Sequence, residues 1–294
     1  MKNKFFDNLA NNYGIAAGLF RSFLISVTAI ISKSLSDFRP HEILFYRSFF
    51  ALISLFFSLT VQKQSYSLRK ILRLEFMIYG SMCCICSYLF ILAVRLNTFS
   101  EAMILCHTSP FFSFFIEIFY KKEKFIFKDL IYQLIIFMGV IFISSTEPDA
   151  FSLFSNFHLS YNHGVCLLQA GLTALRVEYE KKIASKDQVN TLNFASLFSY
   201  LFYGVMASFY FGYLKICNFH EFLMLLSAGV IVIMSETLFL IGLKYEKVSI
   251  MLMIQSSRMF MSFLLEVLLL KTYPKISNII VCIIITFSIS QMKK

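Results

Sequence analysis

The chain has 294 residues, of which 58% are apolar and only 15% are charged. This balance excludes an ordinary soluble two-domain protein, because a water-exposed surface of that size needs more charged side chains. A net charge of +10 would suit a nucleic-acid-binding protein, but the basic residues fall mainly in the short segments between apolar runs.

Apolar runs of about 20 residues recur from end to end, and each could cross roughly 30 Å of hydrocarbon as a helix. The first run is too long for a signal peptide and no cleavage pattern follows it, so it predicts a retained span. The sixth run has a charged end, where we expect Arg176, Glu178 and Glu180 to be solvated. The predicted spans are 13–35, 41–61, 74–94, 98–120, 127–145, 161–181, 190–213, 220–242, 247–270 and 275–291.

Lys and Arg residues are concentrated in alternate loops. If the N-terminus is cytoplasmic, the inner loops hold most of them, and the longest outer loop, 146–163, holds none. The positive-inside rule therefore predicts a multi-pass protein of the cell (inner) membrane with both termini in the cytoplasm. The basic charge is an orientation signal, and no nucleic-acid partner is expected.

The two halves of the chain resemble each other. One shift places Tyr88–Lys122 on Thr237–Lys271, and several Ser, Phe, Glu and Lys residues then coincide. Five spans per half is an odd number, so the second half would enter the membrane from the opposite side. The predicted fold is an all-α integral membrane protein with ten transmembrane helices, arranged as two inverted five-helix repeats over 1–148 and 149–294. Secondary transporters often use this plan, because two halves can rock about a shared midplane site.

Motifs in the first half resemble EamA-type members of the drug/metabolite transporter superfamily. The second span contains HEILFYRSFFALI, and the third to fifth contain AVRLNTFSEAM, TSPFF and KKEK. The second half departs from this pattern, since Met259 replaces the proline and Thr272 stands where Glu123 would map. The resemblance implies a secondary carrier of small organic metabolites, with its site between the halves and no bound cofactor.

Ionisable side chains within the spans are candidate site residues, because a charge in hydrocarbon is costly unless it is paired or faces water. Arg258 lies roughly 16 Å along the helix from Lys247, too deep to reach the interface, so it needs a cavity or a counter-charge. Glu236 lies at a depth where it could meet Arg258, and Arg21 adds a second cation nearby. The predicted substrate-binding residues are Arg258, His107, Arg21, Glu236, Ser257 and Gln255.

The run MILCHTSPFFSFF places His107 and Pro110 inside the fourth span, and the repeat shift aligns it with the Arg258 cluster. His107 is either a helix–helix hydrogen-bonding residue or a ligand, and both readings stay open. Pro110 removes one backbone hydrogen bond, which kinks the helix or frees a carbonyl for substrate. Arg47 either reaches the interface or pairs with Glu101. The predicted structural or gating residues are Pro110, Arg47, Glu101, Glu117 and Glu266.

These features together predict alternating access, in which Arg258 holds a carboxylate or phosphate of an amino acid, a nucleotide-like compound or S-adenosylmethionine. The coupling mode stays open, since His107 or Glu236 could couple transport to a proton, or the protein could exchange one metabolite for another. The oligomeric state, monomer or homodimer, also stays open.

The seven cysteines lack metal-ligand spacing, and no ATP-binding P-loop sequence is present, so we expect no metal, no cofactor and no catalytic residues. The expected partners are the metabolite and membrane lipid. The alternative is an integral-membrane enzyme acting on lipid, for which RPHE at 39–42 is the best short run, and a channel is a third reading.

Overall fold

The computed structural model describes residues 2–62, 73–119, 131–132, 134–135, 138, 160–184, 189–211, 214–245, 251, 254–255, 257–271 and 276–291. Within these residues every regular element is helical. The α-helices are α1 (Lys2–Ser34), α2 (Pro40–Gln62), α3 (Leu74–Leu96), α4 (Phe99–Cys106), α5 (Ser109–Phe119), α6 (Tyr161–Ala184), α7 (Val189–Phe211), α8 (Phe219–Tyr245), α9 (Ser257–Leu265) and α10 (Ile276–Gln291). A π-helical turn, Glu266–Leu270, follows α9.

Six stretches among the described residues are long and apolar enough to cross a membrane. They are Ala16–Ser34, Pro40–Val61, Leu74–Leu96, Phe99–Ile116, Val189–Phe211 and Phe219–Tyr245. The fifth predicted span, 127–145, lies almost wholly outside the described residues, as do parts of the ninth, 247–270. The expectation of ten spans therefore stays a prediction, while the described part has the make-up of a multi-pass helical membrane protein.

The fourth predicted span is interrupted close to Pro110. α4 ends at Cys106 and α5 begins at Ser109, with His107 and Thr108 in the turn between them. The N–H groups of His107 and Thr108 donate to carbonyls only three residues back, at 3.2 and 3.3 Å. Pro110 has no N–H with which to restore the regular pattern, so the chain turns where the sequence predicted a kink.

The long helices pack in a closed arrangement around a central space. α1 contacts α8 and α9, α2 contacts α7 and α8, and α3 contacts α6 and α7. α4 and α5 pack on α6, and α9 also contacts α4. At Gly229 a Cβ would lie 2.7 Å from the Phe50 side chain and 2.8 Å from the Arg47 carbonyl, so only glycine permits this approach of α8 to α2.

The start of α2 is tied to the connection between α7 and α8. One Glu42 carboxylate oxygen accepts from the Arg39 backbone N–H at 2.6 Å, and the other accepts from the Lys215 N–H at 2.8 Å. Tyr46 donates its hydroxyl to the Lys215 carbonyl at 2.7 Å. The Lys215 ammonium binds Glu221 at 2.9 Å, and this hydrogen bond raises the pKa of Lys215. Glu42 of the RPHE run is thus engaged in helix and loop contacts.

Candidate functional site: a buried cavity lined by arginines

A partly enclosed cavity with a volume of about 70 Å³ lies among the helices. Every described helix from α1 to α9 except α5 contributes to its wall. Its polar lining consists of Arg21, Thr28, Arg47, Ser87, His107, Gln169, Thr173, Arg176, Tyr200, Ser235, Glu236, Gln255 and Arg258. The remaining lining residues, which are apolar or cysteine, are Ile25, Cys86, Phe90, Cys106, Val177 and Val232.

Four arginines among the described residues line this cavity, and each is buried. Arg21 is 4% exposed, Arg47 and Arg258 are 6% exposed, and Arg176 is 7% exposed. Guanidinium groups stay protonated in proteins, so burying four of them requires counter-charges or polar ligands. Their partners differ, and this difference divides the cavity into two regions.

Arg176 forms ion pairs with two carboxylates. Its Nη2 donates to Glu236 Oε2 at 2.8 Å, and its Nε lies 3.3 Å from Glu180 Oε2, one helical turn along α6. Tyr79 donates its hydroxyl to the other oxygen of Glu180 at 3.2 Å. Glu180 is fully buried and Glu236 is 9% exposed, so these groups form an internal ion cluster that joins α6, α8 and α3.

Arg21 is partly paired. Its Nη2 lies 3.7 Å from Glu236 Oε1, and its Cζ lies 3.7 Å from the ring centroid of Phe239 on α8. Nε and Nη1 of Arg21 are buried without a hydrogen-bond partner in the described part of the chain. Arg21 therefore links α1 to α8 by a loose ion pair and a cation–π contact, with donors left over.

Arg258 and Arg47 have no carboxylate partner among the described residues. Nε and Nη2 of Arg258 and Nε of Arg47 are buried and make no hydrogen bond there. Both side chains line the cavity. Buried polar groups in native proteins are nearly always satisfied, so these guanidinium donors require acceptors that water, an ion or a ligand can supply.

Neutral polar groups complete the wall. Gln169 donates its amide to Thr173 at 3.0 Å, while its carbonyl oxygen is buried without a partner in the described chain. Tyr200 accepts a hydrogen bond from Ser87 at 3.2 Å. Nε2 of His107 and Nε2 of Gln255 are buried and unsatisfied within the same described residues. The site can thus offer both donors and acceptors around its charged groups.

The structure brings together most of the residues that the sequence predicted as substrate-binding. Arg258, His107, Arg21, Glu236 and Gln255 line the cavity. Ser257 does not: its hydroxyl donates to the Ile254 carbonyl, three residues back in the chain, at 2.7 Å. The binding roles of these residues remain predictions, but their proximity is observed.

The surroundings predicted for three sets of charged side chains are wrong. Arg176 and Glu180 are buried, not solvated, because they pair with each other and with Glu236 inside the helix bundle. Glu236 therefore meets Arg176 and Arg21, and forms no ion pair with Arg258 in the described chain. Arg47 points into the cavity wall, and no ion pair joins it to Glu101 in the part that the structure describes.

The residues that sequence reasoning missed do carry a periodic signal. Gln169, Thr173, Arg176 and Glu180 are spaced by four, three and four positions. This spacing places them on one face of α6. A row of polar residues on one face of an otherwise apolar helix predicts that this face lies inside the protein, where its side chains contact water or pair with each other.

The predicted structural or gating residues lie in varied surroundings. Ser100 donates its hydroxyl to Glu266, which joins α4 to the π-helical turn. Glu101 lies in the first turn of α4, whose cap is Thr98. The side chain of Glu117 lies outside what the structure describes. Among the described residues, no His, Cys, Asp and Glu side chains cluster in a way that could hold a metal ion.

Several apolar, membrane-length helices surround a polar cavity, which is the make-up of a multi-pass membrane protein. Residues 12–145 match the EamA-like transporter family. The match covers the first half of the chain and confirms, over those residues, the family resemblance that the sequence motifs predicted.

Solved structures give the same picture of the fold. One, described only as "Crystal structure of protein", has a TM-score of 0.68 and 15% sequence identity, and the similarity covers 97% of this chain and 96% of that one. At this identity the likeness concerns the fold alone. None of the curated protein sequences matches the chain significantly.

Proposed function

We propose that the chain is a secondary active transporter that moves a small organic metabolite with an anionic group across the cell (inner) membrane by alternating access. The observation that carries this proposal is a buried cavity between the helices with unsatisfied Arg258 and Arg47 donors in its wall. An amino acid, a nucleotide-like compound and S-adenosylmethionine all have an anionic group that Arg258 could bind.

The proposed architecture is ten spans in two inverted five-helix repeats, 1–148 and 149–294, with both termini in the cytoplasm. The helix contacts support it, because they come in related pairs. The α1–α8 contact corresponds to α6–α3, α2–α8 corresponds to α7–α3, and α1–α9 corresponds to α6–α4. Two related halves around one cavity provide the two alternative arrangements that alternating access needs.

Proton coupling would use His107 or Glu236. Glu236 is held by two guanidinium groups, at 2.8 and 3.7 Å, and so already balances charge within the protein. His107 lies on the cavity wall at the break in the fourth span, with a buried ring nitrogen free of partners among the described residues. His107 is therefore the better placed of the two to exchange a proton with substrate or water.

An enzyme that modifies lipid is the weaker candidate function, because both carboxylate oxygens of Glu42 in the RPHE run already accept hydrogen bonds from backbone N–H groups. A purified, liposome-reconstituted protein separates the classes. We expect saturable counterflow of a labelled metabolite found in an uptake screen. Ionic conductance without counterflow would indicate a channel, and lipid turnover without transport would indicate an enzyme.

An Arg258→Gln variant tests the site itself. We expect it to lose counterflow, because the substrate anion would lose its charged donor. Arg95→Gln is a matched control, since Arg95 donates to the Leu35 carbonyl away from the cavity. An Arg258→Gln protein that transports like the wild type would overturn the proposed site.

A further inference from the structure

The charges around the cavity do not balance. Within the described chain, four buried arginines line it, and the carboxylates within ion-pair distance of any of them are Glu236 and Glu180. Both carboxylates contact Arg176, and Glu236 also reaches Arg21. With His107 counted as neutral, the described residues that line or contact the cavity carry an excess of two positive charges.

Such an excess is costly inside a membrane protein. A buried cation without a partner loses its hydration and gains no compensating Coulomb attraction. The two guanidinium groups without a carboxylate partner among the described residues, Arg47 and Arg258, are each 6% exposed. Both side chains line the same cavity, and both retain unsatisfied donors in the described chain. A bound anion would compensate this excess.

We infer that the transported substrate is a dianion, a small molecule with two negative charges such as a dicarboxylate or a phosphomonoester. This inference rests on the proposed transport function and narrows its substrate class. A monoanion would leave one buried cation uncompensated, and a net cation such as S-adenosylmethionine would add to the excess. Among amino acids, the acidic ones fit this charge best.

The rest of the wall suits such a ligand. Gln255 and Arg21 add unsatisfied donors for the oxygens of a carboxylate or phosphate group. The carbonyl oxygen of Gln169 is a buried acceptor that can bind an N–H or O–H elsewhere on the molecule. The cavity thus offers more donors than acceptors, which matches a ligand rich in anionic oxygens.

The test measures thermal unfolding of the full-length protein in detergent, titrated with four probes at constant ionic strength. The dianionic probes are sulfate and succinate, and their monoanionic counterparts are chloride and monomethyl succinate. The Arg47→Gln/Arg258→Gln double variant removes the unpaired charges and reports general salt effects. Dicarboxylate and phosphate-like binding are told apart by succinate and sulfate.

We expect a dianion to stabilise the wild type at a concentration lower than its monoanion counterpart by about tenfold or more, since losing a charged partner in a buried pair has at least that effect. The double variant should show no such preference. Equal half-maximal concentrations for dianions and monoanions in the wild type would overturn the inference, and this comparison needs no variant to fold. A preference that persists in the double variant would also overturn it.

Liposome counterflow distinguishes this failure from failure of the proposed function. A dianion that binds in this way but shows no counterflow would contradict the transporter and leave the charge inference standing. Counterflow of a monoanion or zwitterion at the same affinity as a dianion would contradict the charge inference and leave the transporter standing.

Discussion

Arg176 and Arg258 line the same cavity and are equally buried, yet their surroundings are opposite. Arg176 contacts two carboxylates, one of which also accepts a hydrogen bond from Tyr79. Arg258 has no carboxylate partner in the described chain and keeps two unsatisfied donors. Burial alone therefore does not separate a structural arginine from a candidate binding arginine. The carboxylate partners in the described chain do separate these two residues.

Removal of Arg176 should have the largest effect on stability. Arg176→Met would leave Glu236 and Glu180 as unpaired buried charges and lower the free energy of unfolding by about 3–5 kcal/mol. Titration of purified protein from mild detergent into SDS measures it. The control combines Arg176→Met with Glu180→Gln and Glu236→Gln, which should recover most of the loss. A single variant as stable as the wild type would show that the cluster is not structural.

Removal of Arg258 should have the opposite effect: little change in stability and a large loss of ligand binding. Arg258→Gln relieves an uncompensated charge, so the free energy of unfolding should stay within about 1 kcal/mol of wild type or rise. Binding of succinate should weaken about tenfold or more, because the ligand loses a charged donor. The same SDS titration and ligand-dependent melting measure both quantities. Strong destabilisation together with unchanged binding would assign Arg258 to the structural region instead.

Arg21 is intermediate between the paired Arg176 and the unpaired Arg258. A substitution of Phe239 tests the cation–π contact of Arg21. Phe239→Leu removes the ring 3.7 Å from the guanidinium and should cost Arg21 a coupling energy of about 1–2 kcal/mol. A double-mutant cycle with Arg21→Gln measures this coupling in the SDS titration. Additive single effects would mean that the ring only fills space.

The smallest effect is expected at the exposed ion pairs of the α7–α8 connection. Lys215 contacts Glu221 at 2.9 Å and Asp37 at 3.4 Å, and its pKa is raised above the ordinary 10.5 by the Glu221 hydrogen bond. Because the folded pKa is the higher one, the stabilisation is complete below pH 10.5 and is lost as pH rises through the folded pKa. Lys215→Met should therefore differ slightly from wild type in melting temperature at pH 8 and not at strongly alkaline pH. A difference that does not shrink at alkaline pH would contradict this origin.

The sequence located Arg258, Arg21 and Glu236 by their depth in apolar runs, and His107 by the repeat shift that aligns its run with the Arg258 cluster. The depth of a residue in a span follows from the rise per residue of the helix. All four side chains line one cavity in the structure. Helix boundaries were also readable: the predicted span 74–94 corresponds to Leu74–Leu96, and Pro110 lies beside the break in the fourth span.

The ion-pair partners of these charged residues could not be predicted from their depth in the spans. Depth does not show which face of a helix a residue occupies, so Glu236 was matched with Arg258 when it contacts Arg176. Arg176 was taken for part of a solvated helix end because Glu178, Lys181 and Lys182 follow closely in the sequence. Its position on a face with Gln169 and Thr173 was the stronger indication, and contacts between distant helices decided the outcome.

Binding of succinate and monomethyl succinate to wild type and to Arg258→Gln, followed by melting temperature at constant ionic strength, tests the central claim most directly. We expect the wild type to prefer the dianion by about tenfold or more, and we expect Arg258→Gln to lose this preference while remaining folded. An Arg258→Gln protein that keeps the full preference for succinate would contradict the claim that the unpaired arginine holds the substrate.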